Sequence, residues 1–369
     1  MSQILSFERS SSPDLFPPAA GRLIDLSRSV EEIFRKWGYL AVIPSLFSHA
    51  SSTIRDSLFL EALYLMEDRF SKEELPVRIW YGGNIVRGAA SGQPMESDEM
   101  GVECVGAPLC LGEAEVISMA LEILKCNGIR DFRLVLGHGK ILMAGNPLIG
   151  EGEAFLDQFD SDSTDESLKS GIDSFKRLTK WIREFGYKDL IFYDLSSPFS
   201  SSDIVDSLWF KMETVDGSYD IIKGRRRKRG GLETTGFSFD LRQFLETVQK
   251  FGDLPPSSKI DFLVINRKGS RKGTCEIIKV LREHGYSVAL DYSDRSKEEL
   301  TRYAAHSGVI NLLIVGDEDV AINEVKLIDV VDNIGTKVSI TEIFDKKSGF
   351  NKLLRYHKRL ERDQGLTRS

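Results

Sequence analysis

No apolar run in the 369-residue chain approaches the roughly 20 residues that a membrane helix needs. No apolar stretch of signal-peptide length follows a basic start at Met1. Both absences predict a cytoplasmic protein with no membrane anchor. Cysteine is scarce: Cys104, Cys110, Cys126 and Cys275 form no CxxC pair, and the five histidines show neither HxxxH nor HxxE spacing. The expectation is buried, reduced thiols and no metal site. Gly82-Gly83 lacks the lysine and serine of a phosphate-binding loop, and no Ser/His/Asp or Cys/His pair stands at suggestive spacing. Nothing implies a cofactor. An excess of positive charge is missing too. With 49 basic and 56 acidic residues the chain carries a net −7, which argues against a protein that grips nucleic acid over its whole surface.

What is present is an ordinary globular composition, 41% hydrophobic and 28% charged, long enough for two domains. Val30, Ile33, Phe34 and Trp37 repeat at helical spacing and predict a helix over Ile24–Trp37 that Gly38 stops, then a strand over Tyr39–Ile43. A second helix is expected over Leu58–Phe70. Strands are expected over Arg78–Val86 and Glu99–Val105, a helix over Ala114–Lys125 and a strand over Asp131–Leu136. Residues 151–166 hold seven acids and no base and read as a solvated insertion ahead of a helical segment, Ile172–Phe185. Strands follow over Leu190–Asp194 and Leu208–Val215. Phe237–Val248 starts as a strand and becomes a helix. Residues 254–258 (Leu-Pro-Pro-Ser-Ser) are the clearest linker, ending a first domain over 1–253. Strand and helix then alternate over 259–345, which predicts a compact α/β domain with parallel strand pairs. Residues 346–369 form a tail with eight basic and two acidic residues, helical over Phe350–Arg362.

The stretch from Pro76 to Val116 carries most information. Pro76-Val-Arg-Ile-Trp-Tyr-Gly-Gly-Asn-Ile-Val-Arg87 and Met100-Gly-Val-Glu-Cys-Val-Gly106 bracket a loop of small residues, and Gly112-Glu-Ala-Glu-Val116 opens a helix. This hairpin resembles motif 2 of the class II aminoacyl-tRNA synthetases, in the form of the histidyl enzymes and their non-synthetase relatives. Phe34, Trp37-Gly38-Tyr39 and Ile43-Pro44 resemble motif 1, through which these enzymes dimerise. Gly217-Ser-Tyr-Asp220 is similar to their Gly-Gly-Arg-Tyr-Asp element, and Thr235-Gly-Phe-Ser-Phe-Asp-Leu241 to motif 3. Residues 260–342 resemble the histidyl enzymes' anticodon-binding domain. The resemblance implies an α/β fold whose first domain is an antiparallel sheet flanked by helices. It implies that Arg87 takes the place of the arginine on the ATP α-phosphate, and Glu103 that of the acid holding the α-amino group of histidine.

Departures from the pattern bear on chemistry. A synthetase needs fixed cations and metal-binding acids around a triphosphate. Here Ala89 replaces the acid two places after Arg87, and Gln243 replaces the motif 3 arginine. Arg242 stands one place early, about 100° away on a helix. Glu99 stands where glutamine is expected, and the histidine-activating segment has no counterpart between Asp194 and Asp216. The combination resembles the regulatory subunits of ATP phosphoribosyltransferase, histidyl-synthetase paralogues without catalysis of their own. That implies a short-form ATP phosphoribosyltransferase catalytic subunit as partner, self-pairing through the motif 1-like region and histidine as effector, in the first step of histidine biosynthesis. Two other readings stand beside it: a divergent histidyl-tRNA synthetase, and a tRNA- or RNA-binding synthetase paralogue.

The candidate histidine contacts are Glu103, Glu99, Arg87 and Tyr219. Two nearby carboxylates favour a bound cation. Arg87 could instead pair with Glu99 or Glu103 across the hairpin. Arg225, Arg226, Arg227, Lys228 and Arg229 are candidate phosphate or RNA contacts, though five like charges that repel one another are more often a solvated loop. A basic run and tail of this kind do not by themselves make nucleic acid the expected partner.

Overall fold

The computed structural model describes residues 14–44, 75–88, 94–139, 149–151, 155–157, 166–187, 191–194, 208–217, 219–229, 232–252, 260–267, 271–293, 295–316, 320–330 and 332–348. The predicted helix over 58–70, the linker at 254–258, the helix over 350–362, Ala89 and most of the acidic insertion lie outside them. The chain divides into two compact units, one formed mainly by residues 26–254 and one mainly by residues 255–368.

The first unit is built on a nine-stranded sheet. Its strands are β1 (Leu40–Val42), β2 (Val77–Gly88), β3 (Pro94–Val105), β4 (Phe132–His138), β5 (Ile149–Glu151), β6 (Ile191–Asp194), β7 (Leu208–Thr214), β8 (Asp220–Arg229) and β9 (Leu232–Asp240). They lie in the order β1-β2-β3-β9-β8-β7-β4-β6-β5. The sheet is mixed: β1 runs parallel to β2 and β4 parallel to β6, while the other pairs are antiparallel. Among the described residues four helices accompany it: α1 (Ala19–Lys36), α2 (Leu111–Cys126), α3 (Glu166–Glu184) and α4 (Leu241–Phe251).

Helix α1 buries Leu26, Val30, Ile33 and Phe34. The spacing of four, three and one puts them on one stripe. Phe34 meets Trp80 at 5.9 Å and Phe237 at 6.2 Å between ring centroids. Gly38, at φ +80°, ends this helix in the left-handed region. In α4, Phe244 stacks edge-on against Phe239 at 5.1 Å, and Gly112 of α2 sits tight against Thr235, leaving no room for a Cβ. Trp80, Thr235, Phe237 and Phe239 belong to one face of the sheet, so α1, α2 and α4 all pack there. The other face carries Tyr81, Glu99, Gly101, Glu103, Gly236, Arg225 and Arg227, set by the period of two along each strand.

The second unit has a five-stranded sheet in the order β11-β10-β12-β13-β14, from β10 (Ile260–Arg267), β11 (Val288–Asp291), β12 (Val309–Gly316), β13 (Glu324–Asp329) and β14 (Gly335–Ser339). Both pairs made by β10 are parallel; β13 and β14 add on antiparallel. Helices α5 (Arg271–Glu283), α6 (Lys297–His306) and α7 (Ile340–Phe344) complete it. Phe262, Val264 and Leu313 pack with Ile277 and Leu281 of α5, while Leu263, Ile265 and Leu312 pack with Leu300 and Ala304 of α6. Alternation along β10 thus fills two cores, as a strand covered on both faces must. Burial of all four cysteines does not hold: Cys104 and Cys110 are buried, Cys126 is half-buried and Cys275 is exposed. Cys275 precedes the buried pair Ile277 and Ile278 and lies off the apolar stripe of α5.

Candidate functional site

The register lines up polar side chains in rows across the face opposite α1, α2 and α4. Glu103 is opposite Gly236, and Gly236 is opposite Arg225. One row over, Tyr81, Gly101, Ser238 and Lys223 stand side by side. Two glycines shape this floor. A Cβ at Gly236 would overlap both the Val102 carbonyl oxygen and the Glu103 carboxylate, and one at Gly101 would come within 2.5 Å of the Tyr81 hydroxyl. The missing side chains leave space for the groups beside them.

Glu103 is 1% exposed. Its Oε1 accepts from Arg227 Nη1 at 3.2 Å and its Oε2 from Thr234 Oγ1 at 2.6 Å. Burial pushes its carboxyl up to about 7, against the pull of Arg227. Arg225 is pushed down to about 10 by burial and by the like charge of Arg227. Burial likewise raises the Tyr81 hydroxyl, helped by Glu99 and Glu103. Glu99 is also buried, at 2% exposure. Farther along the same face Glu213 binds Lys211 and Arg133, each at 2.5 Å, and Asp220 binds Lys211 and Lys223.

The basic run is therefore a strand, not a loop. Its side chains alternate, so five like charges never share one face. Arg226 turns to the helix side, where Nη1 donates to Glu113 of α2 at 2.6 Å, and Nη2 to Glu233 and the Ala107 carbonyl at 2.8 Å each. Glu113 also accepts from the Cys110 backbone N–H at 2.6 Å, holding the start of α2. Lys228 is exposed. Arg229 pairs with Leu232 at the end of the β8–β9 hairpin.

The register separates other candidates. Glu99 lies opposite Gly83 and Glu103 opposite Ile79, whereas Arg87 lies opposite Met95. At about 3.3 Å per residue, the four residues from Gly83 to Arg87 put Arg87 about 13 Å along the strand from the level of Glu99, and twice that from Glu103. The backbone of Arg87 is thus set well away from the level of either acid. Tyr219 stands in the β7–β8 turn, six residues before Arg225 and so about 20 Å from the Glu103 row. Its ring packs on Phe251 and under Lys250 at the far end of α4. It does not line the cleft with Glu103.

At the motif 3-like turn, Asp240 caps α4 by accepting from the backbone of Arg242 at 2.8 Å and Gln243 at 3.0 Å. The Arg242 side chain donates to Asp98 at 2.5 Å. Gln243 is exposed. Spacing did not reveal that Thr234 belongs with this site, nor that Glu113, on the opposite face, holds Arg226; Gly236 lies in the motif 3-like stretch, but its place against Glu103 depends on strand pairing. Among the described residues no group of three or more His, Cys, Asp or Glu side chains is arranged to hold a metal ion, and no helix is long and apolar enough to cross a membrane.

The fold, a nine-stranded sheet followed along the chain by a five-stranded α/β unit, is shared with a solved histidyl-tRNA synthetase. Residues 61–144 match the histidyl-tRNA synthetase family model and residues 260–347 the anticodon binding domain model. A solved histidyl-tRNA synthetase from Nostoc sp. PCC 7120 superposes with a TM-score of 0.74 at 13% identity, over 91% of this chain and 97% of that one. Along most of its length the chain is also similar to ATP phosphoribosyltransferase regulatory subunits. The Geobacter sulfurreducens protein of that name is 23% identical over 415 aligned residues, covering 90% of this chain and 94% of its own. The structure of an ATP phosphoribosyltransferase regulatory subunit/histidyl-tRNA synthetase from Bacillus halodurans gives a TM-score of 0.70 at 16% identity, over 86% of this chain and all of that one.

Proposed function

We propose that this chain is a non-catalytic regulatory subunit of ATP phosphoribosyltransferase. It binds the short-form catalytic subunit, is needed for the first step of histidine biosynthesis and passes on a histidine signal. The observation that carries this reading is the state of the motif 3-like turn. Gln243 stands at the arginine position, and the neighbouring Arg242 is spent on Asp98. A triphosphate bound there would lack a cation that adenylate formation requires. The near full-length likeness to regulatory subunits points the same way.

Self-pairing uses the motif 1-like unit, α1 and β1. Leu40 and Ile43 there are 72% and 92% exposed, apolar surface that a second copy would cover. Histidine acts by binding one state of the assembly better than another, a coupling typically worth about 1–3 kcal/mol. The test is co-purification with the same organism's short ATP phosphoribosyltransferase, followed by its activity with and without this chain and with added histidine. Expected are a stable complex, activity only in the mixture, and inhibition by histidine. No complex, or histidine-dependent ATP–pyrophosphate exchange by this chain alone, would overturn the proposal. The retained anticodon-binding-type unit favours RNA binding as the second reading. A gel shift with tRNA that weakens steeply with salt would support it.

A further inference from the structure

The passage from α1 into β1 is held by side chains of α2. Helix α1 closes with two backbone bonds, from the Gly38 N–H to the Arg35 carbonyl and from the Tyr39 N–H to the Phe34 carbonyl, at 3.0 Å each. They fix the backbone of Tyr39 where the chain leaves the helix. Tyr39 is 1% exposed, and its hydroxyl donates to Glu115 Oε1 at 2.9 Å. Glu115 also accepts a two-pronged bond from Arg78 of β2, from Nε at 2.7 Å and from Nη2 at 2.9 Å. Buried Cys104, opposite Arg78 on β3, completes the cluster beside the Tyr39 hydroxyl. One carboxylate thus joins α2, the entry to β1 and the strand on which β1 pairs. Glu113, two positions earlier, holds Arg226 of β8. Two positions turn a helix by about 200°, so the two acids serve opposite flanks of α2. Farther down α2, Glu122 accepts from Trp37 Nε1 at 2.7 Å and ties the end of α1.

Strand β1 has little else to hold it. Among the described residues it joins the sheet through three pairs, Leu40 with Ile79, Ala41 with Trp80 and Val42 with Tyr81. Leu40 and Ala41 are exposed, while Val42 packs partly buried against Ile79 and Val105. So small a burial gives little to set against the entropy lost in ordering the strand. We propose that Glu115 is a positioning residue for self-pairing: acting through Tyr39, it latches β1 onto β2 and so presents Leu40 and Ile43 to a second copy. This rests on the reading of α1 and β1 as the self-pairing unit. Arg78 orients the carboxylate, because a planar guanidinium fork accepts it in one alignment. Without Glu115 the buried Tyr39 hydroxyl loses its charged acceptor and Arg78 loses its partner, and a buried group left unpaired is destabilising. Strand β1 then frays. The surface it carries is present in the docked fraction alone, and apparent affinity between copies falls by that fraction.

Amide hydrogen exchange of the full chain, read at high dilution, together with sedimentation over a range of concentrations, tests it. Glu115→Ala should speed exchange of the Leu40–Val42 amides by about tenfold or more. The β8–β9 amides should keep their wild-type rates, and self-association should weaken several-fold. Tyr39→Phe, which removes the hydroxyl and keeps the ring, should move both readouts the same way by a smaller factor. It also covers the case in which the alanine variant does not fold. Unchanged β1 exchange in either folded variant would overturn the latch. So would faster exchange spread evenly over the sheet, which marks general destabilisation. Wild-type association in a variant whose β1 exchanges fast would overturn the link from latch to pairing. A wild-type chain that stays monomeric at every concentration would overturn the self-pairing reading itself, and this role of Glu115 with it. Exchange at β1 therefore judges the latch, and wild-type sedimentation judges the reading beneath it.

Discussion

Arg226 and Arg227 are neighbours on one strand, yet they live under different rules. Arg226 enters the helix side, ties Glu113 and Glu233 together and loses nearly all contact with water. Arg227 enters the floor, donates to a wholly buried carboxylate and stays partly wet. One step along the strand therefore separates an arginine that builds the sheet–helix joint from one that faces the opposite side and keeps contact with water. The lesson is that charge runs should be read by parity: in a strand, alternate members of one run serve different masters.

Four substitutions press on that difference. Arg226→Ala leaves Glu113 buried and uncompensated, and loss of one partner from a buried pair costs about 3–5 kcal/mol. Urea denaturation should show a fall of that size, with a smaller fall for Arg227→Ala, because Glu103 can take up a proton instead. Equal losses would erase the distinction between the two faces. Gly236→Ala comes next. The new methyl meets the Val102 carbonyl oxygen, which belongs to the sheet and cannot swing aside. Overpacking of this kind costs about 1–3 kcal/mol, and a melting temperature equal to wild type would show that the floor is looser than its register implies. The smallest effect is on pH dependence. Glu103 has a carboxyl raised from 4.5 to about 7 by burial, so the folded chain holds that proton more tightly than the unfolded one. Its contribution is fully present below about 4.5 and is lost as pH rises through about 7. Denaturation midpoints followed across that window should fall less steeply in Glu103→Gln than in wild type.

Much of the architecture was legible along the chain. The stop at Gly38, the motif 2-like hairpin, the strand-to-helix passage from Phe237 to Val248 and the alternation after residue 260 all depend on nearby residues, where periodicity and turn chemistry speak directly. The sheet was less so. That β1 joins parallel to β2, and β6 to β4, depends on pairings between distant segments. The site was legible in part. Glu103 and Glu99 do share the floor, but Tyr219 was assigned by a four-residue likeness that says nothing of depth in the sheet. The basic run misled because five identical charges hide the period of two that a mixed sequence displays. Arg226 and Glu113 are 113 positions apart, and no local pattern couples them.

The borders of both sheets are short. Strands β1 and β5 have three residues each, β11 four and β14 five. Among the described residues, an outside strand joining one of these four would find only a few amides, although nine of the twelve residues of β2 extend beyond the three that β1 covers. Backbone zippering onto those four strands, a route by which β-rich chains clump, therefore has little template. Complexes formed at them draw more on matched side chains than on paired backbone, and can be tuned one residue at a time.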